Sequence, residues 1–148
     1  DHLEILYEDW EESFKEETMD GGKPANRLII FDDCGYSGSL KSYKKQNIVD
    51  KLICNGRHMN LSQIYTSQRF SQCSTTLRTN LTGAILFNTS AKELDLITDD
   101  MNYMAKSKDF INMFREHTKE RRSFLVVNFS NPPDKLYMNQ NFQPIPWT

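Results

Sequence analysis

The chain has 148 residues, enough for one compact domain with a hydrophobic core. Its formal net charge of −2 at pH 7 excludes a generally basic surface, so any contact with nucleic acid must be local. No apolar run is long enough to cross a bilayer, and we expect no membrane partner. The cysteines Cys34, Cys54 and Cys73 are odd in number and lack C-x-x-C spacing, which is typical of reduced intracellular thiols.

Apolar periodicity and turn residues divide the chain into alternating helices and strands. Residues 2–18 carry one apolar stripe at helical spacing with acids on the other face, and the turn residues at 20–24 end this helix. The elements predicted after it, in chain order, are a strand at 28–31, a helix at 42–55, a strand at 61–67, a helical turn at 75–80, a strand at 83–88, helices at 91–97 and 109–119, a strand at 123–129 and an irregular tail. This alternation predicts an α/β fold in three layers, with a mostly parallel sheet covered by helices on both faces.

Residues 28–42 read LIIFDDCGYSGSLKS and invite comparison with a phosphate-binding loop, G-x-x-x-x-G-K-[ST]. The Lys-Ser pair fits that pattern, but Leu40 replaces the glycine that lets the backbone approach a phosphate. Asp32 and Asp33 would also place two negative charges beside a polyanion. We therefore reject the phosphate-loop interpretation and expect residues 35–42 to form a surface loop.

A strand that ends in metal-binding acids explains the same stretch better. The apolar run at 28–31 is typical of a strand buried on both faces of a parallel sheet. Asp32 and Asp33 follow it directly, at the strand end where ligands bind in open α/β sheets. One carboxylate can hold Mg²⁺, and the second can orient or deprotonate an attacking water. The alternative is that the two acids only open a turn before Gly35.

A polar cluster, Thr66-Ser67-Gln68-Arg69, follows the next predicted strand. A glutamine at this position can orient a water or sense a terminal phosphate, whereas the alternative is an ordinary polar loop. We expect three strands to be parallel neighbours, namely residues 28–31, 61–67 and 83–88. In that arrangement Asp32, Asp33 and Gln68 meet at one edge of the sheet.

Three ordered motifs resemble those of FtsK/HerA-type P-loop ATPases, in particular the poxvirus-like genome-packaging ATPases of large eukaryotic DNA viruses. GRHMNLSQIYTSQRF at 56–70 resembles the segment in which an arginine-bearing turn leads into a strand with a Ser-Gln or Thr-Gln end. LIIFDD, upstream at a fitting distance, resembles the Walker B strand. STTLRTNLTGAILFNTS at 74–90 is similar to the short helix and strand that follow in the family.

The resemblance implies a role for each matching residue. Asp32 corresponds to the Walker B acid on the Mg²⁺ side, and Asp33 to the catalytic acid, where many relatives carry glutamate. Gln68 corresponds to the polar sensor. Arg57 is implied to be an arginine finger that acts on the nucleotide of the next subunit, with an ordinary surface charge as the alternative. Further candidates for the finger are Arg69 and Arg78.

The function implied by the resemblance is an ATPase that loads double-stranded DNA into viral capsids, with ATP and Mg²⁺ as cofactors. The implied partners are double-stranded DNA, further copies in a ring-shaped homo-oligomer, and capsid proteins. The implied location is the cytoplasm or viral factory of an infected cell, or the virion.

An intact phosphate loop is missing from the sequence. Residues 1–148 are therefore expected to be a single α/β ATPase core domain without the N-terminal phosphate-loop part. One alternative is a non-catalytic assembly module that keeps the scaffold without binding nucleotide. Another is a nucleic-acid enzyme with two-metal chemistry, for which Asp99-Asp100 is the only other pair of adjacent aspartates.

Overall fold

A computed structural model describes residues 2–19, 21–33 and 48–147. Cys34, the predicted loop at 35–42 and the first part of the helix predicted from residue 42 lie outside the described residues. The chain divides into two compact units, Asp1–Asn80 and Leu81–Thr148, called the first and second unit below. Both contain helices and strands, and the α/β class is confirmed. That residues 1–148 form one ATPase core stays a prediction.

The described residues of the first unit form a parallel pair of strands and three α-helices. Its elements are α1 His2–Met19, β1 Arg27–Phe31, α2 Ile48–Asn55, a 3₁₀ turn Gly56–Met59, β2 Leu61–Tyr65, a 3₁₀ turn Phe70–Gln72 and α3 Thr75–Thr79. β1 and β2 pair in parallel, and their register runs from Arg27 opposite Leu61 to Phe31 opposite Tyr65. The parallel pairing expected for these two strands is confirmed.

The core of the first unit lies on one face of this strand pair. It contains buried residues from α1, α2 and both strands, among them Tyr7, Leu52, Phe31 and Leu61. The rings of Phe31 and Tyr65 stack with their centroids 4.7 Å apart and their planes within 5° of parallel. The two helices therefore cover the face that carries Phe31.

The other face of the strand pair is exposed, so the expectation that residues 28–31 are buried on both faces is wrong. Leu28, Ile30 and Ile64 keep 57%, 56% and 48% of their surface accessible. Successive strand residues point to opposite faces, and α1 and α2 pack against only one of them. An apolar run makes burial of a strand on both faces possible, but it does not determine whether helices cover both faces.

A side-chain amide joins the end of α2 to β2. Gln63 donates a hydrogen bond from Nε2 to the Leu52 carbonyl at 2.6 Å, and its Oε1 accepts from the Tyr65 hydroxyl at 2.6 Å. Burial raises the pKa of Tyr65, so its hydroxyl keeps this proton at neutral pH. Gly56 opens the turn before β2. A Cβ on it would collide with Gln63 Nε2, which shows that Gly56 lies directly against the same amide.

An ion pair connects the end of α1 to the start of β1. Arg27 Nη2 lies 2.8 Å from Glu17 Oε1, and the backbone N–H of Ala25 donates to Glu17 Oε2 at 2.8 Å. Two hydrogen bonds hold the pKa of Glu17 below its usual value. The bond from Ala25 has the larger effect, and the bond from Arg27 has the next largest. These contacts join the C-terminal part of α1 to the first residue of β1.

The second unit is built on an antiparallel sheet. Its elements are β3 Gly83–Phe87, α4 Ala91–Met101, α5 Ser107–Thr118, β4 Phe124–Asn128, a 3₁₀ turn Pro133–Lys135 and β5 Tyr137–Met138. The strand order is β3-β4-β5, and both pairings are antiparallel. The expectation that residues 83–88 form a third parallel neighbour is wrong for the pairing that the structure shows. β3 pairs with β4, and the pair β1-β2 forms a sheet of its own.

Tyr137, in the two-residue strand β5, anchors the tail of the second unit. Its hydroxyl donates to the Met101 carbonyl at 2.7 Å and accepts from the Tyr103 N–H at 2.8 Å. Burial raises the pKa of Tyr137 to about 12. The prolines of the tail predict an irregular segment, but the structure contains β5 there, a strand of two residues that is too short to leave a periodic pattern in the sequence. Within the described ranges of either unit, no helix is long and apolar enough to cross a membrane.

Replacing Gly56 with alanine should destabilise the first unit by about 1–3 kcal/mol, because the new methyl group displaces the Gln63 amide from its two hydrogen bonds. Urea unfolding followed by circular dichroism measures the loss. In a Gln63→Ala background the same substitution should cost much less, since the colliding group is gone. Equal costs in both backgrounds would contradict the packing described.

Replacing Glu17 with glutamine should reduce the loss of folding stability at acidic pH. The folded-state pKa of Glu17 lies below the unfolded value near 4.5, so the ionised carboxylate stabilises the fold above that value. The stabilisation is lost as the pH falls through the folded-state pKa. Melting temperatures between about pH 5 and pH 3 should therefore fall less steeply for Glu17→Gln than for wild type. Glu16→Gln, an exposed change on the same helix, should keep the wild-type slope.

Candidate active site

The carboxyl ends of β1 and β2 place four polar residues at one edge of the first unit. The strands end in register at Phe31 and Tyr65, and the Thr66 N–H donates to the Phe31 carbonyl at 2.9 Å. The parallel ladder therefore continues one residue beyond β2. The next side chains of both strands emerge side by side at this edge: Asp32, Asp33, Thr66 and Gln68.

Hydrogen bonds connect these side chains across the two strands. The Thr66 hydroxyl donates to Asp32 Oδ1 at 2.6 Å and accepts from the Asp33 N–H at 2.8 Å. Gln68 Nε2 donates to Asp33 Oδ2 at 2.7 Å. The structure thus brings Asp32, Asp33 and Gln68 to the same edge. Their roles in catalysis stay predictions.

The backbone of Asp33 is left-handed, with a φ of 49°. Few residues other than glycine adopt this conformation, although aspartate and asparagine do so more readily than most. The hydrogen bond from the Asp33 N–H to Thr66 helps to hold it. The chain therefore turns away from the strand direction at the second acid.

All four side chains are exposed, so a ligand can reach them. The oxygen donors of Asp32 and Asp33 fit Mg²⁺, which prefers one or two carboxylates and keeps its remaining ligands as water or substrate phosphate. In the part of the chain that the structure describes, no group of three or more His, Cys, Asp or Glu residues could form an all-protein cage. The donor set therefore suits a cation shared with a bound phosphate compound.

The structure does not bring Arg57 to the acids. Arg57 is exposed in the 3₁₀ turn that precedes β2, between the buried residues Gly56 and Met59. Gln68 follows the other end of the same strand, and a strand of five residues is about 16 Å long. If Arg57 acts in catalysis, it must act on a site other than the one formed by its own β1 and β2.

The two lesser arginine candidates occupy different surroundings. The Arg78 guanidinium lies 5.4 Å from the centre of the Phe70 ring, and Nη2 donates to Thr75 Oγ1 at 3.4 Å. These contacts hold Arg78 against its own unit. Arg69 is exposed and directly follows Gln68, at the same edge as the acids.

Sequence reasoning missed Thr66, which contacts both acids. The sequence places a threonine in the polar cluster after β2, and this was the only available signal. Strand alternation indicates which face a side chain occupies, but not which hydrogen bonds its hydroxyl makes. Only the pairing register shows that Thr66 lies beside the Asp-Asp step.

Solved structures with the same fold come from two Sulfolobus viruses. The genome packaging NTPase B204 from Sulfolobus turreted icosahedral virus 2, in complex with ATP-gammaS, is 18% identical with a TM-score of 0.58, over 98% of this chain and 62% of that chain. The DNA-packaging ATPase B204 from Sulfolobus turreted icosahedral virus is 16% identical with a TM-score of 0.60, over 97% and 62%. The AMP complex of the former NTPase is 20% identical with a TM-score of 0.57, over 88% and 58%. This chain spans about three fifths of those structures.

Similarity at this level of identity establishes the fold alone, and the expected likeness to genome-packaging ATPases is confirmed. A comparison with curated protein sequences found no match. A family model described as Poxvirus A32 protein matches residues 3–138, which include both strand ends of the site. On this match, which covers most of both units, the chain belongs to the poxvirus A32 protein family.

Proposed function

We propose that this chain is the metal-side and sensor part of an ATP-driven motor that packages viral double-stranded DNA into capsids. The observation that carries the proposal is the cross-strand contact of Asp33 with Gln68, beside that of Asp32 with Thr66. At phosphoryl-transfer sites an acid holds Mg²⁺ and a further acid or glutamine positions the attacking nucleophile, and this edge supplies both kinds of residue. Membership of the poxvirus A32 protein family and the fold shared with the B204 NTPases support the proposal.

The two acids divide the work at this site. Asp32 is the residue that would hold Mg²⁺, which when bound neutralises charge on the phosphate oxygens. Asp33 orients the attacking water and accepts its proton. The side chain of Asp33 is held by Gln68, so its carboxylate has a defined orientation before substrate arrives.

Gln68 makes its contact through an amide N–H, and this contact suits a sensor. The 2.7 Å bond to Asp33 Oδ2 is exposed to solvent and can be exchanged for a bond to the attacking water or to the terminal phosphate. The amide carbonyl supplies an acceptor as well. Gln68 can therefore respond to the terminal phosphate by releasing the acid that it holds when the phosphate is absent.

A nucleotide needs further groups besides these acids, because two carboxylates repel a triphosphate. Backbone N–H groups and cations that cradle phosphates serve this purpose in nucleotide-binding proteins. The strand ends that carry Asp32 and Asp33 therefore form only one side of the complete nucleotide site. The partners we propose for the whole motor are double-stranded DNA, capsid proteins and further copies of the protein in a ring, and its location is the viral factory or cytoplasm of an infected cell, or the virion.

Arg57 is proposed to complete the site of a neighbouring subunit in that ring. Its exposed position at the far end of β2 keeps it away from its own acids. Gly56 and Met59, the first and last residues of the turn, are buried and fix its position. The Arg57 side chain therefore extends from a well-defined point of the backbone. A cation presented in this way can stabilise charge that develops on a transferring phosphoryl group.

The first test of the proposed function is Asp33→Asn in the full-length protein. The variant keeps an oxygen that can accept from Gln68 but loses the base. ATP turnover should therefore fall by about 10²–10⁴-fold, while binding of a non-hydrolysable analogue changes little. Asp9→Asn, an exposed change on α1, is the matched control. Wild-type turnover in Asp33→Asn would overturn the assignment, and a wild-type protein without ATPase activity would favour the non-catalytic assembly module.

Arg57→Ala should lower turnover by about a thousandfold or more, the scale known for arginine fingers, with little change in nucleotide binding by each subunit. His58→Ala, its exposed neighbour in the same turn, should stay close to wild type. Mixing Arg57→Ala subunits with Asp33→Asn subunits should recover some activity, because some interfaces then pair an intact arginine with an intact acid. Unchanged turnover in Arg57→Ala would make it a surface charge and shift attention to Arg69 and Arg78.

A further inference from the structure

We propose that Thr66 is the positioning residue that sets both acids of the site, an inference that rests on the proposed function. Its hydroxyl is bonded to Asp32 through the side chain and to Asp33 through the backbone. One oxygen atom therefore fixes the relative placement of the carboxylate on the metal side and of the acid that accepts the proton. Thr66 acts through these acids and needs no contact with substrate.

The direction of the two hydrogen bonds follows from the chemistry of the hydroxyl. A hydroxyl has one hydrogen, so it can donate only once while it accepts on its lone pairs. The Asp33 N–H can only donate, so the hydroxyl must accept there and give its own hydrogen to Asp32. The 2.6 Å separation from Asp32 Oδ1 is in the range of O–H···O⁻ bonds, which are stronger than neutral ones.

The sheet itself fixes the position of the hydroxyl. The Thr66 N–H is bonded to the Phe31 carbonyl at 2.9 Å, directly after the last in-register pair of the ladder. Threonine is also branched at Cβ, which restricts rotation about χ1. The hydroxyl is therefore a rigid reference point, to which the backbone N–H of Asp33 is hydrogen-bonded.

The left-handed turn at Asp33 depends on this reference point. The conformation with φ of 49° is unfavourable for a residue with a side chain, and the bond from the Asp33 N–H to Thr66 compensates for part of that cost. The same turn presents Asp33 Oδ2 to Gln68. Without the hydroxyl, the Asp33 N–H loses this acceptor and the Asp32 carboxylate loses this donor.

The experiment compares Thr66→Val, which removes the hydroxyl at nearly constant shape, with Thr66→Ser, which keeps it, in the full-length protein. Mn²⁺ binding in the presence of a non-hydrolysable ATP analogue is measured by electron paramagnetic resonance. Thr66→Val should weaken Mn²⁺ binding by about 10–100-fold, as is typical when a partner of a metal-binding carboxylate is lost, and Thr66→Ser should restore it. Thr79→Val is the matched control, because that hydroxyl donates to the Thr75 and Thr76 carbonyls of its own helix and accepts from the side-chain amide of the next residue, Asn80.

A second measurement keeps the inference testable without any ligand. Hydrogen exchange at the Asp33 amide, followed by NMR in the protein free of nucleotide, should be faster in Thr66→Val than in wild type and in Thr66→Ser. Thr66→Ala provides another variant without the hydroxyl if valine crowds the site, and it should behave as Thr66→Val.

The two measurements separate this inference from the proposed function. A wild-type protein that binds no Mn²⁺ with nucleotide would count against the proposed function, whereas unchanged Asp33 exchange in Thr66→Val would overturn the role of Thr66. Mn²⁺ binding that is equal in wild type and Thr66→Val would overturn it as well. Failure of Thr66→Ser to restore binding would assign the effect to the methyl group and have the same consequence.

Discussion

The register of β1 against β2 is the constraint on which the candidate site depends. The strands pair in parallel up to Phe31 and Tyr65, whose rings stack at 4.7 Å immediately before the polar residues begin. A slip by one residue would turn every side chain to the opposite face and separate Thr66 from Asp32. The apolar packing before the strand ends therefore determines which polar atoms meet beyond them.

The parts of the fold that could be predicted have local signals. The apolar stripe of α1 and the run of apolar residues in β1 identify their elements without knowledge of the rest of the chain. The approach of Gln68 to Asp33 follows from two such elements and one rule, because the carboxyl ends of parallel strands lie at the same edge.

The parts that could not be predicted depend on long-range partners. The exposure of Ile30 depends on which layers cover the strand pair, and the antiparallel partner of β3 lies beyond two helices in the sequence. The contact of Thr66 with both acids depends on a register that threonine itself does not indicate. Each of these features depends on which distant segments pair with one another. The composition and periodicity of the sequence do not indicate that pairing.

The left-handed backbone at Asp33 limits how this position can vary during evolution. Aspartate tolerates a φ of 49° better than glutamate does, and its short side chain still reaches the Gln68 amide. A glutamate at this position would have to adopt the same left-handed backbone or change it. Exchange of one acid for the other is therefore more than a change of length by one methylene group. A lineage that moves between them must also rearrange the backbone after β1, so the acid and the turn are expected to change together.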